Sequence, residues 1–161
     1  MPPDGTVAEV RRRLAAPPAK VFAAFADPAL VSRWLTPSPE VALSVLRFEF
    51  RVGGAYRFAY HVPDGRTMFV NGIYQTIDPP STLVFSWNIE PPDEHAGLHS
   101  EVSVTLVPDG TGTHLLIRHA QLTVPGAADR HAQGWLGAVG QLVALLTALA
   151  GTLTEAEGET I

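Results

Sequence analysis

Residues 131–154 read HAQGWLGAVGQLVALLTALAGTLT and contain no Asp, Glu, Lys or Arg. Large apolar residues recur in this stretch at the three- and four-residue spacing that places side chains on one face of an α-helix. They are Trp135, Val139, Leu142, Val143, Leu146 and Leu149. The preceding residues alternate mainly as strands do. One long apolar-faced helix after a series of antiparallel strands predicts a sheet wrapped around the helix, and such a wrap often leaves a cavity.

Composition indicates a globular protein that forms one domain. The chain has 161 residues, of which 46% are hydrophobic and 17% are charged. A chain of this length can bury a core, and its hydrophobic fraction is too high for a disordered chain. We expect a single domain over residues 6–150, with the long helix at residues 128–150 and Gly151 just past its end. The acidic tail, residues 151–161, is expected to be disordered.

Charge and cysteine content exclude several classes of function. The net charge is −5, and basic residues cluster only at Arg11, Arg12 and Arg13. Nucleic acid is not an expected partner, because phosphate binding needs a basic face. The absence of cysteine rules out disulfides, thiol catalysis and thiolate metal sites. The first residues lack the basic and apolar regions of a signal peptide, so we expect a cytoplasmic location.

The long apolar stretch also meets the length rule for a membrane span, over residues 134–153. Against a span stand four glycines within those residues, the lack of a basic residue after them and the acidic tail. These features are unlike the flanks of a transmembrane helix. We therefore expect no membrane association.

Turn residues divide the first three quarters of the chain into strands and two short helices. A first strand is predicted over residues 6–14. The two helices follow, the second with Asp27 as its N-cap and Pro28 at its first position. Turns rich in Gly, Pro and Asp then delimit six more strands, at residues 41–52, 55–62, 66–77, 82–89, 98–107 and 113–122.

Alternation along these strands assigns one face of the sheet to the interior. That face is rich in aromatic residues, and the polar tips of buried Tyr and Trp need hydrogen-bond partners. An apolar space with a few polar tips is typical of a small-molecule site, and the alternative is a core filled by the same rings. We predict a ligand cavity between sheet and helix, lined by Tyr56, Phe58, Tyr60, Tyr74, Phe85, Trp87, His119, Trp135 and Val139.

The register of one hairpin decides whether charges face this cavity. A two-residue turn at Gly53-Gly54 would pair Arg51 with Tyr56 and turn Arg47, Glu49 and Arg51 inward. A one-residue bulge at the glycines would expose these charges instead and bring Phe48 and Phe50 inward, since a slip of one residue reverses every side chain. Glycine makes a bulge inexpensive and burial of three charges is costly. We favour the bulge.

Histidines are the first candidates for chemistry. His95 and His99 lie near Asp93, Glu94 and Glu101, but in a Pro- and Gly-containing loop this spacing does not converge ligands on a metal. We predict a solvated loop, no metal site and no cofactor.

Catalytic motifs are also absent. His119 ends an inner-face strand. The first interpretation is a histidine that is hydrogen-bonded within the core, and the second is a catalytic acid or base. There is no G-x-S-x-G elbow, and the glycines at 134, 137 and 140 lie within a helix rather than in a phosphate-binding loop. We assign no catalytic residue.

A co-linear set of short motifs extends from about residue 10 to residue 149. The motifs are FADP at 25–28, RVGGAYRF at 51–58, Gly72-Ile73-Tyr74, Asp78-Pro79-Pro80, LVFSW at 83–87 and Gly134-Trp135. The set closely resembles the bacterial relatives of the heat-shock-protein-90 ATPase activator, in the START-like or SRPBCC superfamily. The resemblance implies an α+β helix-grip fold, in which an antiparallel sheet grips the C-terminal helix and two short helices follow strand one.

Function follows only loosely from this resemblance, because relatives include lipid carriers, hormone receptors, aromatases and cyclases, and chaperone activators. Our first hypothesis is a protein that binds a small apolar or aromatic molecule without catalysis. The second is a cyclase- or aromatase-type enzyme that uses a tyrosine or His119 as proton donor in the same cavity. The third is a chaperone or stress-response interaction module.

The helix face opposite Trp135 carries no charge and is formed by Gly137, Gly140, Ala144, Thr147 and Ala148. Surface helices normally carry several charges, and each interior glycine lowers helix stability by about 1 kcal/mol relative to alanine. Something is therefore expected to approach this backbone closely. We favour a homodimer, and the alternative is the chain's own loops.

Overall fold

The elements of the chain follow the predicted order. The computed structural model describes residues 6–93 and 95–159. Its strands are β1 (Ala8–Leu14), β2 (Ala42–Phe48), β3 (Ala55–His61), β4 (Thr67–Asp78), β5 (Thr82–Ile89), β6 (His99–Asp109) and β7 (Gly112–Ala120). Its helices are α1 (Pro18–Ala26), α2 (Pro28–Trp34) and α3 (Ala127–Glu159).

All seven strands form one antiparallel sheet in the order β1-β7-β6-β5-β4-β3-β2. Residues alternate between the two faces, and Phe85 and Trp87 on β5 and His119 on β7 are buried, as predicted. The concave face holds α3, and the two short helices follow β1. The α+β fold with a gripped C-terminal helix is thus confirmed.

The two short helices form as the sequence predicts. The Asp27 carboxylate accepts a hydrogen bond from the Ala29 N–H at 2.9 Å, which caps α2, and Pro28 occupies its first turn. The indole of Trp34 is buried and donates to the Ala24 carbonyl oxygen at 2.9 Å. This bond joins α2 to α1 and fixes where the chain leaves α2.

Helix α3 packs with the predicted face inward. Trp135, Val139 and Leu142 are all buried. The predicted end of the helix is wrong, however: α3 continues through Gly151 to Glu159, so the tail expected to lack structure is helical up to that residue. The last two residues lie outside the part described.

One side of α3 is covered by the chain itself. A Cβ atom added at Gly137 would collide with the backbone of Pro37, in the segment that follows α2. Nearby, the Gln141 amide donates to the carbonyl oxygen of Thr36. The close approach expected at Gly137 is therefore made by the chain's own loop. Around Gly140 no atom lies within 4 Å of an added Cβ.

The β2–β3 connection differs from both predicted turns. Phe48, rather than Arg51, pairs with Tyr56, so the connection spans residues 49–54. The bulge does occur, but it lies between Val45 and Arg47 rather than at the glycines.

The preferred side-chain orientation nevertheless holds in this hairpin. The Phe48 and Phe50 rings lie 6.0 and 4.9 Å from the ring of Tyr74. The Arg47 and Arg51 side chains are 60% and 68% exposed, and both pair with Glu49. Burial of these charges is avoided, as expected from its cost.

One helix, Ala127–Gly151, is long and apolar enough to cross a membrane by length and composition. In the fold it is the helix held by the sheet: Trp135, Val139, Leu142 and Leu145 are buried there, whereas Leu136 is 56% exposed. A core helix meets the same length rule as a membrane span.

Candidate ligand-binding cavity

A cavity of about 320 Å³ lies between the sheet, the first half of α3 and the segment after α2, and it is partly open to solvent. Most of its wall is aliphatic or aromatic, and a few polar side chains interrupt it. We call it the main cavity. It is lined by Leu35, Thr36, Pro37, Tyr60, Met68, Val70, Trp87, Ile89, Arg130, His131, Gln133, Gly134, Trp135 and Ala138.

Three residues expected at the cavity wall, Tyr60, Trp87 and Trp135, line the main cavity. The Tyr60 hydroxyl donates to the Leu35 carbonyl oxygen at 3.1 Å, which ties the wall to the segment after α2. The two indoles lie 5.8 Å apart between ring centroids, with an angle of 51° between their planes. They present the largest aromatic surface in the cavity.

Four other expected wall residues form a packed core at the opposite end of the sheet. Tyr56, Phe58, Tyr74 and Phe85 surround a void of only about 10 Å³. The Tyr56 ring centre lies 4.6 Å from that of Phe58 and 5.7 Å from that of Phe85. Side chains of α1 and α2, including Phe25 and Val31, close this end. The short helices therefore fill part of the space that strand alternation alone leaves open.

The last two expected wall residues, His119 and Val139, are buried but border neither space. Val139 lies one helical turn beyond Trp135, where α3 packs closely on the sheet. His119 is covered by Trp135 itself, whose indole N–H donates to the His119 Nδ1 at 3.0 Å.

Sequence reasoning missed wall residues of two kinds. His131 and Ala138 lie four residues before and three residues after Trp135 and share its face of α3, so the helix period could have found them. The segment Leu35–Pro37 had no such signal, because its position depends on tertiary contacts with α3.

Hydrogen bonds fix the protonation of His119. An indole N–H can only donate, so Nδ1 accepts from Trp135 and the ring proton lies on Nε2. That proton is donated to the Ser100 Oγ at 2.7 Å, and the Ser100 hydroxyl donates to the Trp87 carbonyl oxygen at 2.8 Å. Both ring nitrogens are thus used within the core. Burial, with a smaller contribution from His131, lowers the pKa of His119 to about 2.

This burial predicts acid sensitivity. Folded His119 stays neutral far below pH 6.5, the ordinary pKa at which it titrates when unfolded. The unfolded chain therefore binds a proton that the folded chain does not, so stability is full above pH 6.5 and is lost as the pH falls. Below pH 6.5, each further unit by which the pH falls should lower the free energy of unfolding by about 1.4 kcal/mol, because His119 takes up its proton only in the unfolded chain.

Chemical denaturation at several pH values between 4.5 and 6.5, the ordinary carboxyl and imidazole pKa values, measures this slope. His131 adds to it with the same sign, because burial lowers its pKa too. His119→Gln should therefore give a smaller slope than the wild type. An unchanged slope in that variant would show that His119 is not the titrating group.

A charged pair stands at one end of the main cavity. Arg130 donates from its two terminal nitrogens to the Asp93 carboxylate at 2.7 and 2.9 Å, and also to the Met68 sulfur at 2.8 Å. The Arg130 guanidinium holds the pKa of Asp93 below its usual value. This pair connects the β5–β6 loop to the start of α3.

The loop predicted to be solvated is partly buried. His95 is 8% exposed, and its Nδ1 has no hydrogen-bond partner among the residues described. His99 lies apart from it, with its Nδ1 2.7 Å from the Asn88 side-chain oxygen. Across residues 6–93 and 95–159 no group of three or more potential ligands is placed to hold a metal ion; Glu94 lies outside these residues.

The sequence matches one family, described as Activator of Hsp90 ATPase homolog 1-like protein, over residues 15–147. The chain belongs to this family. The match covers both short helices, all of β2 to β7 and most of α3. Among curated protein sequences, none matches the chain significantly.

Solved structures of bacterial proteins share the family fold. A protein from Chromobacterium violaceum is 28% identical, with a TM-score of 0.77 and coverage of 87% of this chain and 96% of that one. A protein from Rhodobacter sphaeroides is 29% identical, with a TM-score of 0.75 and coverage of 92% and 97%. DynU16, from the dynemicin biosynthetic locus, is 25% identical with a TM-score of 0.68, and the match covers 90% of this chain and 48% of DynU16.

Proposed function

We propose that the protein binds a small apolar or aromatic molecule in the main cavity. The observation that carries this proposal is the cavity itself, about 320 Å³ in volume and walled mainly by apolar and aromatic side chains. Ligand pockets range from about 300 to 1,000 Å³ and have this kind of wall. The volume lies at the low end of that range, which favours a molecule of one or two rings.

The wall is suited to a flat ligand. Trp87 and Trp135 present adjacent indole faces, and aromatic pairs gain about 0.5–1.5 kcal/mol beyond burial of their area. Val70, Ile89 and Ala138 complete the apolar surface. Entry through the partly open side requires no unfolding of the sheet.

Filling the cavity tests this function. Ala138 is buried on α3 and borders the cavity, so Ala138→Phe places a ring in the ligand's space. We expect naphthalene to quench the tryptophan fluorescence of the wild type with micromolar affinity and to bind the variant at least about tenfold more weakly, which corresponds to about 1.4 kcal/mol.

Ala23→Phe is the control, because Ala23 is an exposed alanine of α1 that borders neither the cavity nor the proposed dimer surface. It should bind naphthalene as the wild type does. Equal binding by the Ala138→Phe and Ala23→Phe variants, or no binding by the wild type, would contradict the proposed site.

The observations give less support to the two other hypotheses. A cyclase or aromatase would need a proton donor at the wall, but His119 lies behind Trp135 and gives its proton to Ser100. Burial raises the pKa of Tyr60, and its hydroxyl already donates to a carbonyl. A chaperone-binding module would present a contiguous apolar patch, whereas the exposed large apolar residues described are Leu46, Val52, Ile73, Val107 and Leu136, of which Val52 and Ile73 lie on segments joined by the Gly53–Tyr74 hydrogen bond.

We further propose that the protein acts in the cytoplasm as a homodimer. Support for the dimer comes from the exposed and uncharged side of α3, which includes Leu136, Gly140 and Ala144. Analytical ultracentrifugation should then give a species of twice 17.2 kDa. Gly140→Glu should dissociate it without loss of fold, because a charge is buried there only in the dimer. A single monomeric species of the wild type would end this proposal.

A further inference from the structure

The polar atoms of the main cavity differ in what they can offer a ligand. His131 is 9% exposed and lines the cavity. Its Nδ1 lies 2.8 Å from the Ala127 carbonyl oxygen. A carbonyl oxygen only accepts, so the ring proton of neutral His131 lies on Nδ1. The Nε2 lone pair then remains, and it has no hydrogen-bond partner among the residues described.

Two hydroxyl groups at the wall are also left as acceptors. Tyr60 donates its proton to the Leu35 carbonyl oxygen at 3.1 Å. Thr36 donates its proton to the Val41 carbonyl oxygen at 2.7 Å. Each oxygen keeps lone pairs but has no further proton to give.

Donors at the wall are committed elsewhere or covered. The terminal nitrogens of Arg130 donate to Asp93 and Met68. The indole N–H of Trp87 is buried without a partner, but surrounding atoms cover it from any probe the size of water. Gln133 is exposed, so its amide meets solvent. The inner wall is therefore chiefly an acceptor surface.

We propose, on the basis of the proposed function, that the ligand carries a neutral hydrogen-bond donor, such as a phenolic hydroxyl, that it donates to the His131 Nε2. A carboxylate would bring its lone pairs against those of His131 and Tyr60. An ammonium group would lose its hydration without gaining a carboxylate partner, because the Asp93 carboxylate is already paired with Arg130. A neutral hydroxyl on an aromatic ring supplies the donor that the His131 Nε2 lacks, without either cost.

A series of three two-ring probes tests the donor directly on the wild-type protein. 2-Naphthol has a donor, 2-methoxynaphthalene has the oxygen without the proton, and naphthalene has neither. We expect 2-naphthol to bind about tenfold more tightly than the other two, since one buried hydrogen bond is worth that factor. We expect 2-naphthoate to bind more weakly than naphthalene.

Two further measurements assign the effect to His131. The preference for 2-naphthol should disappear in His131→Phe and persist in His114→Phe, a control at an exposed histidine of β7. In the wild type, 2-naphthol should shift the ¹⁵N resonance of the His131 Nε2, and naphthalene should shift it much less. Because the His131 resonance is recorded on the wild-type protein, it tests the proposal even if His131→Phe does not fold.

The outcomes separate this inference from the proposed function. Equal affinity for 2-naphthol, 2-methoxynaphthalene and naphthalene would overturn the donor assignment and leave the binding function intact. Tighter binding of 2-naphthoate would overturn it in favour of an anionic ligand. Failure of all the probes to bind would overturn both proposals.

Discussion

Trp135→Ala is expected to lower the free energy of unfolding by about 3–5 kcal/mol, as truncation of a large buried aromatic side chain does. Trp135 is 5% exposed and packs against the ring of Trp87. The substitution also removes the hydrogen bond to the His119 Nδ1. A buried acceptor without its partner adds to the loss. Urea denaturation followed by circular dichroism measures the change.

Trp135→Phe separates the two contributions. It keeps most of the ring volume and loses the N–H, so its destabilisation should be smaller than that of Trp135→Ala. A loss below about 1 kcal/mol in Trp135→Ala, outside the range for such truncations, would contradict the placement of α3 against the sheet.

Gly137→Ala is expected to destabilise the protein by about 1–3 kcal/mol, the range for overpacking, and to weaken naphthalene binding. The added methyl group would meet the Pro37 carbonyl oxygen, and the carbonyl carbon lies 2.9 Å away. Backbone atoms cannot yield as a flexible side chain can. The Leu35–Pro37 segment must therefore move, and it forms one wall of the main cavity.

Gly140→Ala is the matched control on the same helix. Nothing lies within 4 Å of a Cβ at this position, so the higher helix propensity of alanine should stabilise the protein by up to about 1 kcal/mol. Thermal unfolding and naphthalene titration of both variants provide the comparison. If Gly137→Ala were as stable as Gly140→Ala, the contact between Pro37 and α3 would be refuted.

Local patterns were sufficient to predict the fold. The uncharged apolar stretch predicted α3, and strand alternation correctly placed Phe85, Trp87 and His119 on the buried face. The N-cap at Asp27 was readable because a carboxylate accepting the first free N–H groups of a helix is a short-range interaction.

The cavity was predictable only in part, because its position depends on long-range packing. Alternation shows which side of a strand is buried, but it does not show whether a helix or empty space lies opposite. The side chains of α1 and α2 fill the space over Tyr56 and Phe85, whereas no element covers Tyr60 and Trp87 in the same way. Which part of the sheet is covered by helix side chains and which part faces the cavity depends on the path of the chain after Trp34.

The tautomer of His119 was beyond prediction for the same reason, because it depends on long-range packing. The sequence does not show that His119 faces the Trp135 indole or that His131 faces the Ala127 carbonyl. The second contact is within one helical turn, so a helix assignment could have suggested it. The first joins β7 to α3 and depends on the whole sheet.

The most direct test of ligand binding in the main cavity uses the three tryptophans of the chain as internal reporters. Trp87 and Trp135 line the cavity. Trp34, the last residue of α2, is buried against α1 and does not line the cavity. The indole ¹H–¹⁵N resonances should be recorded while naphthalene is added. We predict saturable shifts for Trp87 and Trp135 and none for Trp34. The account is contradicted if no indole resonance shifts, or if that of Trp34 shifts as much as the other two.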